Sequence, residues 1–191
     1  MLKIATYDKT QLINSLRGFI VYSIGDLVAQ IILHDISLIR TLGLAFIGST
    51  LYAIEIPIWF RIIETSRFHF KNSNLKNNFF FTKSKNTEYK FSAISKMSLA
   101  VLYFNPLWIA RHMFFIQLFL FIEKGGSFNI IDTFSTMLPI ATMSFLTNII
   151  VVIAGNYIIQ NKLNLKFRFI GSAIFSALLA IYYAVSIVLF K

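Results

Sequence analysis

No cysteine occurs in the chain, which excludes disulfides, thiolate metal centres and cysteine nucleophiles and leaves the compartment open. Acidic residues are scarce, with eight Asp and Glu against 18 Lys and Arg. Charge of either sign is sparse too: 14% of residues carry it, where soluble domains carry roughly a quarter. His34, His69 and His112 are the only histidines, and they share no ligand spacing with one another or with acids, so no metal site is expected. HExxH, GxSxG, Walker-type and dinucleotide-type glycine patterns are all missing, so neither catalytic residues nor a cofactor are expected.

What fills the chain is hydrocarbon. Hydrophobic residues make up 57%, with 21 Phe and eight Tyr, and the mean hydropathy is +0.69. A compact core of this size cannot hide so many aromatics, whereas a lipid-facing surface accommodates them. The expectation is a polytopic membrane protein, all-α, forming one helical domain over residues 1–191. The net charge of +10 does not point to nucleic acid, because the lysines flank apolar runs and no aromatic–basic reader motif accompanies them. They suit anionic lipid headgroups instead.

Five apolar runs read as helices, at about 12–33, 40–63, 97–122, 130–159 and 169–190. The alternative is four spans plus one interfacial helix drawn from the start of the fourth run. Between the second and third lies an extramembrane loop, about 64–96, with Arg67, Lys71, Lys76, Lys83, Lys85, Lys90 and Lys96. Its Phe79-Phe80-Phe81 patch reads as a membrane-surface anchor. Five spans put that loop, Lys3, Lys9, Lys162, Lys166 and Arg168 on one side, and only Arg40, Lys124 and Lys191 on the other. That asymmetry places the N-terminus and the loop on the cytosolic or matrix-like side. Residues 1–10 lack transit-peptide character, so an organellar address is expected to be internal. On the fifth run Ser172, Ser176, Ala180 and Ala184 form a small-residue stripe for close helix packing.

The informative residues are the polar ones within the runs. Gly18, Tyr22, Asp26 and Gln30 recur every four residues on the first helix and share a face. A carboxylate at mid-bilayer costs at least ~2.5 kcal/mol, so Asp26 needs a partner, a proton or water. At ~1.5 Å per residue, Asp26 and Arg111 both lie ~21 Å from the positive side, which predicts an ion pair between the first and third spans. Glu55 lies shallower and is expected to face Asn105, His112 or the carbonyls of Ala53 and Leu102, freed by Pro57 and Pro106. His112 is expected to help this network rather than relay protons. Two readings follow: the seven residues Asp26, Arg111, Glu55, Asn105, His112, Gln30 and Tyr22 are structural glue locating the helices, or they line a polar pathway for small solutes.

Several short stretches resemble the Mpv-seventeen family, which includes the twenty-two-kilodalton peroxisomal membrane protein and mitochondrial inner-membrane relatives. Gly25-Asp26 followed by Ala29-Gln30 is similar to the family's first-span Gly-Asp-x-x-Ser/Ala-Gln. Arg40-Thr41, Gly48 and Trp59-Phe60 resemble its second-span Arg-Thr, Gly and Trp-Tyr, with Phe60 in place of Tyr, and Lys96-Met97, Phe104 and Pro106 are similar to its entry to the third. Ala53-Ile54 stands where the family has Gly-Pro, Val101 where it has Gln, and the closing Trp-Asn is missing. The resemblance implies a small multi-span protein, non-enzymatic, acting as a weakly selective small-solute channel of a mitochondrial-type inner membrane. Peroxisomal and bacterial inner membranes are the alternative sites. The competing reading is an accessory, structural subunit of a large mitochondrial membrane complex (respiratory-chain or ATP synthase), bound to other subunits through its aromatic faces and basic loop.

Overall fold

A computed structural model describes residues 9–69, 79–84, 88–125 and 129–189, with side chains through residue 183. Lys3, Lys71, Lys76, Lys85, Gly126, Phe190, Lys191 and the side chain of Ala184 lie outside the described residues. The first helix, α1 (Lys9–Leu33), buries Asn14, Gly18, Tyr22, Gly25, Asp26, Ala29 and Gln30. Its large aliphatic side chains, among them Leu16, Ile20, Ile24 and Ile31, point outward. A helix in water does the reverse. Polar and small groups inside with apolar ones outside is the arrangement a hydrocarbon solvent imposes.

Five helices are long and apolar enough to cross a membrane. The chain leaves α1 through His34, which takes the left-handed conformation (φ 54°), a geometry histidine tolerates better than most side chains. Ser37 then caps α2 (Leu38–Ile47) by accepting from the Arg40 backbone N–H. A π-helical turn, Gly48–Tyr52, joins α2 to α3 (Ala53–Thr65). The third span repeats the plan: Ser92 caps α4 (Ala93–Leu99), a π-helical turn covers Ala100–Phe104, and α5 runs Asn105–Lys124. Each π turn falls just before a proline, Pro57 or Pro106. Proline cannot donate to the carbonyl four residues back, and a local change of hydrogen-bond spacing absorbs the missing donor without breaking the span.

The fourth run is not one continuous helix. It divides at Asn148 (φ −106°, ψ 10°) into α6 (Ile130–Thr147) and α7 (Ile149–Asn161). Helix α6 packs beside α5 and α7 beside α4, so together they run antiparallel to the third span. Of α6 only Ser144 is buried. The last helix, α8 (Leu165–Leu189), lies parallel to α1 and makes its largest interface there. At that interface Gly25 faces Ala177 so closely that a Cβ on Gly25 would sit 2.6 Å from the Ala177 Cβ. The packing face follows the expected stripe in part: Ser176 is buried on it and Ser172 and Ala180 are half-buried, while Ala173 and Ala177, one residue along, also turn toward α1 and the core.

Two ends of the bundle are tied by ions. At the loop end Glu64 Oε2 accepts from Lys96 Nζ at 2.6 Å and from an Arg168 guanidinium nitrogen at 3.0 Å. This joins the end of the second span to the starts of the third and fifth, the placement that the charge asymmetry predicts. At the other end Lys124 pairs with Asp35 at 3.2 Å, and the Ser37 hydroxyl donates to Glu123.

In the loop, three short strands form an antiparallel sheet. Its strands are β1 (Phe68–His69), β2 (Phe81–Lys83) and β3 (Glu88–Phe91), in the order β1-β3-β2. Phe68 packs edge-on against Phe81 and Phe91, with ring centroids 5.1 and 4.9 Å apart. The expected anchor thus splits: Phe81 turns into the sheet, while Phe79 and Phe80 stay outward in the preceding turn. If those two rings rest on the membrane, the fluorescence of a Phe79→Trp variant in liposomes will be quenched by lipids brominated near the headgroup. Emission unaffected by the brominated lipid would place the turn in water.

Candidate functional site

Asp26 finds its partner one hairpin away. Arg40 donates from Nε at 2.9 Å and from a terminal guanidinium nitrogen at 2.6 Å to Asp26 Oδ1. On the other oxygen, Gln30 Nε2 donates to Oδ2, as does the Thr41 hydroxyl at 3.3 Å. Gln30 Nε2 also reaches Thr41 Oγ1 at 2.8 Å, and Gln30 Oε1 accepts from the Ser37 backbone N–H. Asp26 and Arg40 are 3% and 7% exposed at their side chains, so the pair is desolvated and every acceptor position of the carboxylate is engaged. This is the shared-partner arrangement in which a buried ion pair stands on its own hydrogen bonds.

The expected Asp26–Arg111 pair does not form. Measured from the side opposite the loop, Asp26 is only two turns from the end of α1, and an arginine in the first turn of α2 spans that depth. Arg111 turns instead toward α3, where it donates to Glu55 Oε2 at 2.6 Å. Glu55 therefore does not rely on Asn105, His112 or freed carbonyls. Depth along a helix did not choose the partners; rotation about the helix axis and the tight α1–α2 hairpin did.

Between the two ion pairs lies an aromatic cluster. His112, 5% exposed, stacks on Trp108 at 4.6 Å with the rings 15° apart. Tyr22 and Tyr52 close around them, 5.1 Å from each other and 6.0–6.4 Å from Trp108 and His112. Tyr22 comes from α1, Tyr52 from the π turn and the other two from α5, so three spans meet here. The Tyr22 hydroxyl faces Ser176 and the Trp108 indole without closing a hydrogen bond to either. Asn105 Nδ2 is also buried and has no partner among the described residues.

A cavity of about 290 Å³ extends from this cluster toward the α1–α2 turn. Asp26, Arg40 and Ala29 form one wall, Trp108 and His112 the floor, and Gln117, Ser144 and Tyr183 the other sides. It reaches the surface at Asp35, whose side chain is 56% exposed. Of the seven residues singled out from the sequence, only Asp26 and His112 line it. Gln30 braces Asp26 from behind, Tyr22 packs under the floor, and Glu55 with Arg111 forms a separate, half-exposed pair. Arg40, Ser144 and Tyr183 were not foreseen here. A sign of Arg40's part lay in the Arg40-Thr41 dipeptide, but its position at a helix start suggested an exposed charge.

No family model, curated protein or solved structure matches this chain. What it can do rests on its own geometry. It is a membrane-spanning helical protein with a cavity that is lined mainly by apolar side chains and carries the Asp26–Arg40 pair, Gln117, Ser144 and Tyr183 among them. Among the described residues no three His, Asp or Glu side chains group so as to hold a metal ion.

Proposed function

We propose that the protein passes small polar solutes through this cavity, as a distant relative of the Mpv-seventeen family, in a mitochondrial-type inner membrane. The observation that carries the reading is a cavity that starts at an exposed acid, Asp35, and ends deep in the bundle at Asp26 and His112. Structural glue has no need of such a space. Its lining is largely apolar, its acids Asp26 and Asp35 are matched by Arg40 and Lys124, and a few neutral hydrogen-bonding groups remain, which favours weakly selective passage of small neutral solutes over conduction of ions of one sign. Trp108 and His112 close it toward the loop side, so passage requires the aromatic cluster to yield.

The family reading has separate support. Several residues carrying the resemblance are engaged with one another: Asp26, Gln30, Arg40 and Thr41 form one network. Trp59 stacks on Phe104 at 5.0 Å.

Purified protein in liposomes is expected to admit glycerol-sized solutes faster than protein-free liposomes, measured by light scattering after an osmotic jump. Gln117→Trp, at a partly accessible wall position, is expected to slow that entry severalfold. Wild-type protein that leaves entry at the protein-free rate overturns the channel reading.

One observation favours the accessory-subunit reading instead. Helix α6 buries only Ser144 and presents Ile131, Leu138, Met143 and Leu146 outward, a face that suits a neighbouring subunit's helix as well as lipid. Native mass after mild solubilisation separates the two readings: a small oligomer supports the channel, comigration with one large complex the subunit.

A further inference from the structure

Beside this cavity lies a second space, an apolar groove of about 130 Å³ between α5 and α6. It opens on the outer face of the bundle, where Pro106 and Leu138 are exposed. Among its lining side chains only Thr133 and Thr142 carry a polar atom, and each hydroxyl is spent on a carbonyl of its own helix, Asn129 O and Leu138 O, at 2.8 Å. The groove therefore offers a ligand nothing but hydrocarbon contact.

Groove and cavity share four wall residues, Ile109, Met113, Met137 and Ala141. Two of these are methionines, unbranched side chains that reshape readily around a guest, and one is alanine. On the cavity side of that partition are groups with unspent hydrogen-bonding capacity. His112 Nδ1, Ser144 Oγ and Tyr183 OH are buried and have no partner among the described residues, and all three side chains line the cavity. An unsatisfied buried polar atom costs about 1–3 kcal/mol, and three in one place call for a ligand that supplies the missing bonds. The site has no net charge to offer, since Arg40 is matched by Asp26 and Asp35 by Lys124.

From this pairing we infer that the protein binds a neutral single-chain amphiphile, its hydroxyl- or carbonyl-bearing head in the cavity among His112, Ser144 and Tyr183, and its hydrocarbon tail in the α5–α6 groove. Such a molecule enters sideways from the membrane, past α6, the span with the least buried surface. Binding of this kind does not depend on solute passage, and the two stand or fall separately.

The test uses the full chain in lipid nanodiscs and hexadecanol carrying a diazirine in mid-chain. Photolabelling is expected to saturate and to map to α5 and α6. Unlabelled hexadecanol should compete at least about tenfold better than hexadecane, which has the tail and no head. Ser144→Ala combined with Tyr183→Phe should abolish that preference while leaving the label on the same helices. Ala141→Trp, which fills the partition, should remove the saturable labelling. Label spread evenly over the lipid-facing sides of α1 and α8, or hexadecane competing as well as hexadecanol, overturns the assignment. The competition on unaltered protein decides the matter even if a variant fails to fold.

Discussion

Replacing Asp26 by Leu is expected to destabilise the protein by about 3–5 kcal/mol, the cost of leaving a buried charge without its partner. The carboxylate is the hub of four hydrogen bonds from Arg40, Gln30 and Thr41. Its loss strands a guanidinium that is 7% exposed at the side chain, with no other acid within ion-pair distance among the described residues. Removing both charges together, as Asp26→Leu with Arg40→Leu, should recover most of that loss, because the desolvation cost disappears with the second charge. Arg40→Lys should fall between them, since a single ammonium cannot reproduce the two-pronged contact on Oδ1. Thermal unfolding in mild detergent ranks the three variants.

Glu55→Gln provides the comparison. The Glu55–Arg111 pair has side chains 32% and 27% exposed, so its loss should cost about 1 kcal/mol. An Asp26→Leu protein that melts with the wild type, or no earlier than Glu55→Gln, would show that the α1–α2 network does not hold the hairpin together.

The second large effect is expected at Gly18. A Cβ there would lie 2.2 Å from the Gly48 carbonyl oxygen and 2.7 Å from its carbon. Both are backbone atoms, which cannot rotate aside, so α1 would have to move off the π turn and take Tyr22 with it. Gly48 is tight in return: a Cβ there would meet Tyr22 Cδ2 at 2.5 Å and the Gly18 carbonyl oxygen at 2.9 Å. This is the close backbone approach that only a glycine pair permits in a membrane bundle.

Gly18→Ala is expected to cost about 1–3 kcal/mol, and Gly18→Val more. Gly43→Ala is the control. Its added methyl would also be crowded, at 2.5 Å, but by the ring of Phe119, a side chain that can turn away. Unfolding temperatures should fall in the order Gly43→Ala, Gly18→Ala, Gly18→Val, the last being lowest. Equal effects at Gly18 and Gly43 would mean that the α1–π-turn contact is not as close as the structure places it.

Much of the bundle was legible beforehand because the bilayer constrains a chain so strongly. Apolar runs of about 20 residues and the placement of lysines lead to helices and to their direction. Glu64, Lys96 and Arg168 meeting at one end agrees with that direction. Three features escaped in whole or in part. The length of the fourth run allowed a division, but of Pro139, Asn148 and Gly155 within it only packing selected Asn148 as the break. The small sheet in the loop depends on pairing between Phe68, Phe81 and Phe91, residues too far apart for local periodicity to connect. The packing face of α8 was legible only in part, because every second or third position there is small and several faces satisfy the pattern.

Sequence alone determined that Asp26 is buried against something polar, since a bare carboxylate in hydrocarbon is too costly to persist. It also determined which face of α1 turns inward, because Gly18, Tyr22, Asp26 and Gln30 stand one turn apart. Tertiary structure decided which cation answers the acid. Arg40 and Arg111 are equivalent in charge and both within reach in depth, and only the rotation of α2 and α5 about their axes separates them. The cavity was decided at the same level: it lies where side chains of α1, α2, α5, α6 and α8 converge, a gap made by packing that no single helix encodes.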